Sequence, residues 1–215
     1  MENLVSRLLE HLEKTGGLNA VISVIDRDLE SMLYLDAIEA LKQPIQSGEY
    51  VWIVAYDSLQ NTLRDLKRMD IDYGSYLGKT LFILDAFGSV KRVPTAPMEG
   101  IITLSGYIDD NVFVLKYREA IKNVLNSLPE VPKRVYVLGY NESGMCRIFR
   151  NPVKVQRLVW GLRREVPFQV LKISTHLQPE CPTLEEFLYM GSDFVIEGFV
   201  EENQRKAILT KGVLP

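Results

Sequence analysis

Apolar residues recur along this chain with two periods, and the two periods take turns. Leu4, Val5, Leu8, Leu9 and Leu12 fall on one face of a helix, which Gly16-Gly17 is placed to end. The next run, Ala20-Val21-Ile22-Ser23-Val24-Ile25, is short, β-branched and almost wholly apolar, the pattern of a strand buried on both faces. Helical spacing returns through Leu29, Met32, Leu33, Ala37, Ile38 and Leu41, and Pro44 is expected to stop it. After Gly48, residues 50–55 repeat the buried-strand pattern, and Leu59, Leu63, Leu66 and Met69 repeat the helical one. Residues 80–84 predict a third strand ending at Asp85, residues 112–128 a helix, and residues 135–138 a fourth strand. Val155, Leu158, Val159 and Leu162 predict another helix, residues 168–173 a fifth strand, and residues 183–190 a short helix. Two further strands, over 194–199 and 206–210, flank the polar turn Glu201-Glu202-Asn203-Gln204.

Strands alternating with helices predict βαβ units, and so a mostly parallel sheet covered on both faces. The final pair, joined by a short turn, predicts an antiparallel extension at one edge. The expectation is one α/β domain over 1–215, opened by a helix over about 2–15. Residues 94–100 read as a loop inside it, and the role of the 94–106 region stays open.

Composition narrows the function classes. The 215 residues are 47% hydrophobic and 25% charged, ordinary for a globular chain. A net charge of −3 argues against nucleic acid, whose binders carry a clustered basic excess. The basic pairs Lys91-Arg92 and Arg163-Arg164 read as solvated surface. No apolar run approaches a bilayer span, and the first residues contain no signal-like apolar segment, so no membrane partner and a cytoplasmic location are expected. Cys146 and Cys181 have no metal-type spacing; reduced thiols are expected over a single disulfide. The two histidines have no second ligand at metal spacing, so no metal is expected.

In an open α/β sheet, ligands bind beyond the carboxyl ends of the strands. The segments to inspect are 26–33, 56–59, 85–89, 139–144 and 174–178. They offer Asp57, Asp85 and His176 as candidate ligand contacts. For Asp85 the competing role is a cap on the following turn with Ser89; for His176 it is a polar loop residue. Ser143 lacks the glycine two positions earlier that a nucleophile elbow requires, and reads as part of a flexible loop.

The order of these segments resembles a KaiC/RadA-type member of the RecA superfamily. The strand, loop and helix over 20–42, then Ser47-Gly48-Glu49 leading into the strand that ends at Asp57-Ser58, are similar to the opening of such a domain. Residues 63–72 resemble the helix that follows. Leu81-Phe82-Ile83-Leu84-Asp85, Asp193-Phe194-Val195-Ile196 and Lys206-Ala207-Ile208-Leu209-Thr210-Lys211 resemble later strands. The resemblance covers roughly residues 18–212 and implies a RecA-like, P-loop NTPase-type three-layer sandwich. It also looks like small archaeal families of uncharacterised proteins related to KaiC.

Against that pattern, the departures are informative. Asp26 and Ser31 take the two glycine positions of the phosphate loop, Met32 the lysine and Leu33 the Ser/Thr. Asp26, Asp28 and Glu30 would set three carboxylates near the phosphates, where like charges repel by about 4 kcal/mol per pair at an effective dielectric near 20. Gly139 stands at the Walker B aspartate position, and Asp57-Ser58 where a catalytic acidic pair is found. Gly78-Lys79-Thr80 spells the end of a phosphate loop, but it enters a strand instead of opening a helix. The expectation is therefore a non-catalytic protein without cofactor, a pseudo-ATPase acting through contacts with its own copies or an active relative. The alternative is nucleotide or small-ligand binding without hydrolysis at the carboxyl edge of the sheet.

Overall fold

The computed structural model of the chain describes residues 3–15 and 19–213, so the predicted Gly16-Gly17 stop and residue 2 lie outside the described residues. The strands are β1 (Val21–Asp26), β2 (Tyr50–Ala55), β3 (Leu81–Asp85), β4 (Ile101–Ile102), β5 (Arg134–Tyr140), β6 (Gln169–Leu177), β7 (Phe194–Glu201) and β8 (Gln204–Lys211). They form one sheet in the order β4-β3-β2-β5-β6-β1-β7-β8. Every pairing is parallel except β7 with β8, the antiparallel pair at the edge. Glu202 and Asn203 make the hairpin turn, both with left-handed φ (51° and 59°), as the primed two-residue turns require.

The helices are α1 (Leu4–Thr15), α2 (Tyr34–Ala40), α3 (Lys42–Gln46), α4 (Leu59–Arg68), α5 (Ala86–Lys91), α6 (Asp110–Ser127), α7 (Met145–Ile148), α8 (Pro152–Gly161) and α9 (Glu185–Gly191). Two apolar cores lie on opposite faces of the sheet. On one, Leu8, Ile38, Ile45 and Leu66 of α1 to α4 pack against strand residues such as Ile22, Ile53, Leu138 and Ile173. On the other, Phe113, Tyr117, Val155, Trp160 and Leu188 of α6, α8 and α9 pack against Val21, Trp52, Phe82 and Val195. The buried residues of α1 belong to the first core, so this helix packs on its own domain.

Several expectations need correction. Pro44 does not stop the second helical segment; it lies in the first turn of α3, where an N–H is not needed. Residues 29–33 are not helical, and α2 begins only at Tyr34. β5 continues past Gly139 to Tyr140, and β6 continues past Ile173 to Leu177. His176 is therefore a buried strand residue and not part of a loop. Ser143 is buried in a 3-10 turn, where Asn141 and Glu180 accept from its hydroxyl. Cys146 and Cys181 form a disulfide with their Cα atoms 5.8 Å apart. The carboxyl-edge turns after β5 and β6 bring the two together across 35 residues of sequence, a proximity that spacing alone does not encode.

Candidate functional site

Register decides what meets at the carboxyl edge. Ile25 of β1 pairs with His176 of β6, Gly139 of β5 with Ser174, and Val54 of β2 with Gly139. The loops after β1, β2 and β5 consequently converge above the centre of the sheet.

In the loop after β1, the amides of Glu30, Ser31, Leu33 and Tyr34 are answered by the protein's own carboxylates. Asp26, at the last position of β1 and 3% exposed, accepts from the backbone N–H of Leu33 at 2.5 Å and of Tyr34 at 3.0 Å. The Ser31 hydroxyl donates to the same carboxylate at 2.6 Å. Asp28 accepts from the amides of Ser31 (2.7 Å), Glu30 (3.1 Å) and Val200 (2.9 Å). Met32 adopts a left-handed φ of 44°, and Arg205 clamps the turn by donating to the carbonyls of Ser31 and Met32. Leu33 is buried, and Gly198 gives it room: a Cβ there would lie 2.7 Å from that of Leu33.

The two aspartates titrate in opposite directions. Burial holds the Asp26 carboxyl above its usual range, although the Ser31, Leu33 and Tyr34 hydrogen bonds oppose it. Burial also acts to raise Asp28, but the amides of Val200, Ser31 and Glu30 outweigh it and hold that carboxyl below its usual range. The three carboxylates read from sequence thus do not simply crowd a phosphate site. Two of them accept from the loop's own amides, while Glu30 stays exposed.

Gly139 has a positive structural reason. A Cβ at this position would lie 1.9 Å from Glu142 Oε1, so an aspartate could not share the space with Glu142. Glu142 is fully buried and ion-paired with Lys172 Nζ at 2.6 Å. Its other carboxylate oxygen accepts from Gln156 and Ser174. The Lys172 ammonium also sits 5.2 Å from the centroid of the Trp160 ring. Sequence reasoning passes over this network. Its signal is weak, a lysine within an apolar strand and a glutamate three residues beyond a glycine.

Asp57 and His176 line one carboxyl-edge cavity of about 230 Å³, together with Asp26, Met32, Arg64 and Asn141. Asp57 accepts from its own neighbour's amide, Ser58 N–H, at 2.7 Å and from Asn141 Nδ2 at 3.2 Å; Arg147 stands 3.7 Å away. His176 is 1% exposed and neither ring nitrogen has a hydrogen-bond partner. Burial, then the charge of Arg27, depresses its imidazole to about 4. Its parity along β6 matches Ser174 and Lys172, whose side chains turn to Glu142 on the α7–α9 face. Asp85 is not part of this cavity. It caps α5, accepting from Gly88 N–H at 2.7 Å and from Thr95 Oγ1 at 3.2 Å.

Among the described residues, no group of three or more His, Cys, Asp and Glu is disposed to hold a metal ion. None of the described helices is long and apolar enough to cross a membrane.

No family model matches this chain, and no curated protein matches it. Solved structures do. The uncharacterised protein PH0321 of Pyrococcus horikoshii, crystallised in complex with an unknown peptide, superimposes with a TM-score of 0.77 at 20% identity, covering 94% of this chain and 89% of that one. The KaiC-like protein PH0186 of the same hyperthermophilic archaeon gives a TM-score of 0.58 at 14% identity, covering 91% and 80%. A third solved structure, the ATPase domain of another protein, gives 0.53 at 13% identity, covering 96% and 82%. At these identities the likeness establishes the fold alone: an α/β, RecA-like domain with a mostly parallel sheet and an antiparallel edge pair.

Proposed function

We propose that this chain is a non-catalytic RecA-fold protein, a pseudo-ATPase that works through protein contacts. The observation that carries the reading is the carboxylate pair Asp26 and Asp28, which accepts from the amides of Glu30, Ser31, Leu33 and Tyr34. A nucleotide phosphate at a P-loop needs those amides free and a lysine to balance its charge. Here the amides are answered internally, and Met32 stands at the lysine position. Phosphoryl transfer rests on positioning and charge stabilisation, so a cradle filled by the protein's own anions leaves it nothing to act on. The partners on this reading are copies of the chain or an active RecA-like relative, with no nucleic acid. The peptide in the PH0321 crystals supports contact-based function for that fold.

The test is calorimetry of the purified protein with Mg-ATP and with ADP, followed by size-exclusion chromatography with light scattering. No binding heat, with self-association or capture of a RecA-like partner, is the expected result. Micromolar nucleotide affinity would overturn the reading. A second reading, small-ligand binding without hydrolysis, has the 230 Å³ cavity in its favour. Among the described residues its wall carries Asp26, Asp28, Asp57 and Asp65 against Arg64, with Arg147 3.7 Å from Asp57, so it favours a neutral or cationic molecule over a nucleotide.

A further inference from the structure

The Cys146–Cys181 disulfide is set more as a switch than as a staple. A chain of 215 residues with an apolar core on each face of its sheet stands without a covalent cross-link. The bond joins two short turns at the carboxyl edge. Cys146 lies in the four-residue α7, after β5, and Cys181 lies between the 3-10 turns Gln178–Glu180 and Pro182–Leu184, after β6. Neither cysteine belongs to a strand, so opening the bond breaks no rung of the sheet.

The two sulfurs are unlike. Cys146 is partly exposed and is followed by Arg147, whose side chain is 44% exposed; Cys181 is fully buried. An incoming thiolate is drawn by the guanidinium and meets Cys146 first. The Thr183 hydroxyl stands 3.5 Å from Cys146 Sγ and 3.7 Å from Cys181 Sγ, a donor beside whichever sulfur leaves as thiolate. The bond also places charges. Arg147 and Glu180, the residues next to the two cysteines, face each other at 3.8 Å, and Arg147 stands 3.7 Å from Asp57 on the wall of the 230 Å³ cavity. Ser143 Oγ adds one hydrogen bond to Glu180 at 3.2 Å. Ion pairs this long and this exposed hold little by themselves, so the cross-link is the main tie of Arg147 to Asp57.

We propose that Cys146 and Cys181 are a redox-active pair, opened by a dithiol reductant and closed by a disulfide oxidant, which fastens Arg147 beside Asp57 when oxidised and frees it when reduced. A reductant thiolate attacks Cys146 Sγ, the S–S bond breaks, and Cys181 leaves as a thiolate that takes up a proton. The second thiol of the reductant then displaces Cys146 from the mixed disulfide. The reductant gives up two electrons and two protons and ends as its own disulfide; the protein ends with two thiols. Met145, Phe149 and Leu184 stay anchored in the core beside the cysteines, so the change is confined to the turns.

Acid-quenched samples of the native protein, alkylated and weighed intact, should show no free thiol after oxidised dithiothreitol. They should show two after reduced dithiothreitol at about 5 mM, in buffer without denaturant. Glutathione disulfide should label Cys146 in Cys181→Ser at least about tenfold faster than Cys181 in Cys146→Ser. Trypsin should cut after Arg147 at least about tenfold faster once the pair is reduced, while cutting after Arg92, in the exposed loop before β4, keeps its rate. The double variant Cys146→Ser with Cys181→Ser should be cut like the reduced protein whatever the oxidant. Four results would each overturn the proposal: two thiols that persist under the oxidant, a bond that yields only once denaturant is added, equal labelling of the two cysteines, or equal cutting after Arg147 in both states.

Discussion

At the carboxyl end of the sheet, the loop after β1 turns four amides onto Asp26 and Asp28, and Ser31 adds its hydroxyl to Asp26. At the amino end, Trp160 and Arg163 carry N–H groups that meet no acceptor at all. Fold geometry points to the first place as a ligand site, because open α/β sheets bind ligands beyond the carboxyl ends of their strands. Unmet hydrogen bonding marks both ends, since His176 leaves both of its ring nitrogens without a partner at the carboxyl end. The difference teaches that position at the strand ends and unmet hydrogen bonding are separate signals, and unmet buried atoms are rare enough that each needs a reason.

The largest way to break the comparison is Glu142→Ala. Glu142 is the carboxylate that answers the buried Lys172 ammonium, at 2.6 Å. Removing one member of a buried ion pair costs about 3–5 kcal/mol, because the other charge stays buried. The variant should lose that much in urea-unfolding midpoints, and Glu142→Ala combined with Lys172→Met should recover most of it. A single-variant loss below about 1 kcal/mol would place the pair in the weak, solvent-screened class.

The comparison also marks what the sequence discloses and what it does not. The alternation of apolar runs and helical faces suffices for β1, β2, β3 and β7, whose runs are mostly apolar, whereas the mostly polar β8 is marked by the turn before it. It fails for the carboxyl half of β6, where Ser174, Thr175 and His176 interrupt the apolar run yet are all buried. Their burial is specified by partners distant in sequence: Glu142 accepts from Ser174, and the Gly139 carbonyl accepts from Thr175 Oγ1 at 3.1 Å. Asp26 stands out by position, but its role is inverted. Charge counting reads it as repelling a phosphate, whereas the fold gives its carboxylate the backbone N–H groups of Leu33 and Tyr34. Arg163 reads as surface because it stands beside Arg164, while it is only partly exposed and its guanidinium rests 5.7 Å from the Trp160 ring centroid. Asp57 and His176 do border one cavity, and Asp85, the third candidate, serves α5 instead.

His176 offers the next largest effect and sharpens the picture of the carboxyl end, where it is a buried group left without partners. Its folded pKa of about 4 lies below the ordinary 6.5, so the native state resists a proton that the unfolded chain accepts. The stability it contributes is complete above pH 6.5 and falls as the pH drops from there toward 4. The full span corresponds to a loss on the order of 3 kcal/mol. Urea midpoints of the wild type and of His176→Gln, followed from about pH 7.5 to about pH 4.5, should diverge in slope, with the variant flatter. Parallel profiles would mean that the imidazole gains a partner on protonation, and the carboxyl end would then be fully satisfied.

The smallest effect comes from Asp28→Ala, and it separates the two carboxylates that close the loop. Asp28 serves the amides of Glu30, Ser31 and Val200, while Asp26 keeps those of Leu33 and Tyr34. Loss of a capping carboxylate of this kind costs about 1 kcal/mol near neutral pH. Because hydrogen bonds hold the Asp28 carboxyl below 3.8, that contribution is present above the ordinary pKa and disappears as the pH falls through the depressed one. Wild type and variant should therefore differ in thermal midpoint near neutral pH and converge in strong acid. The variant should still bind no phosphate, since Asp26 continues to fill the amides at the start of α2. Phosphate binding by Asp28→Ala alone would show that Asp28, and not Asp26, is the residue that closes the site.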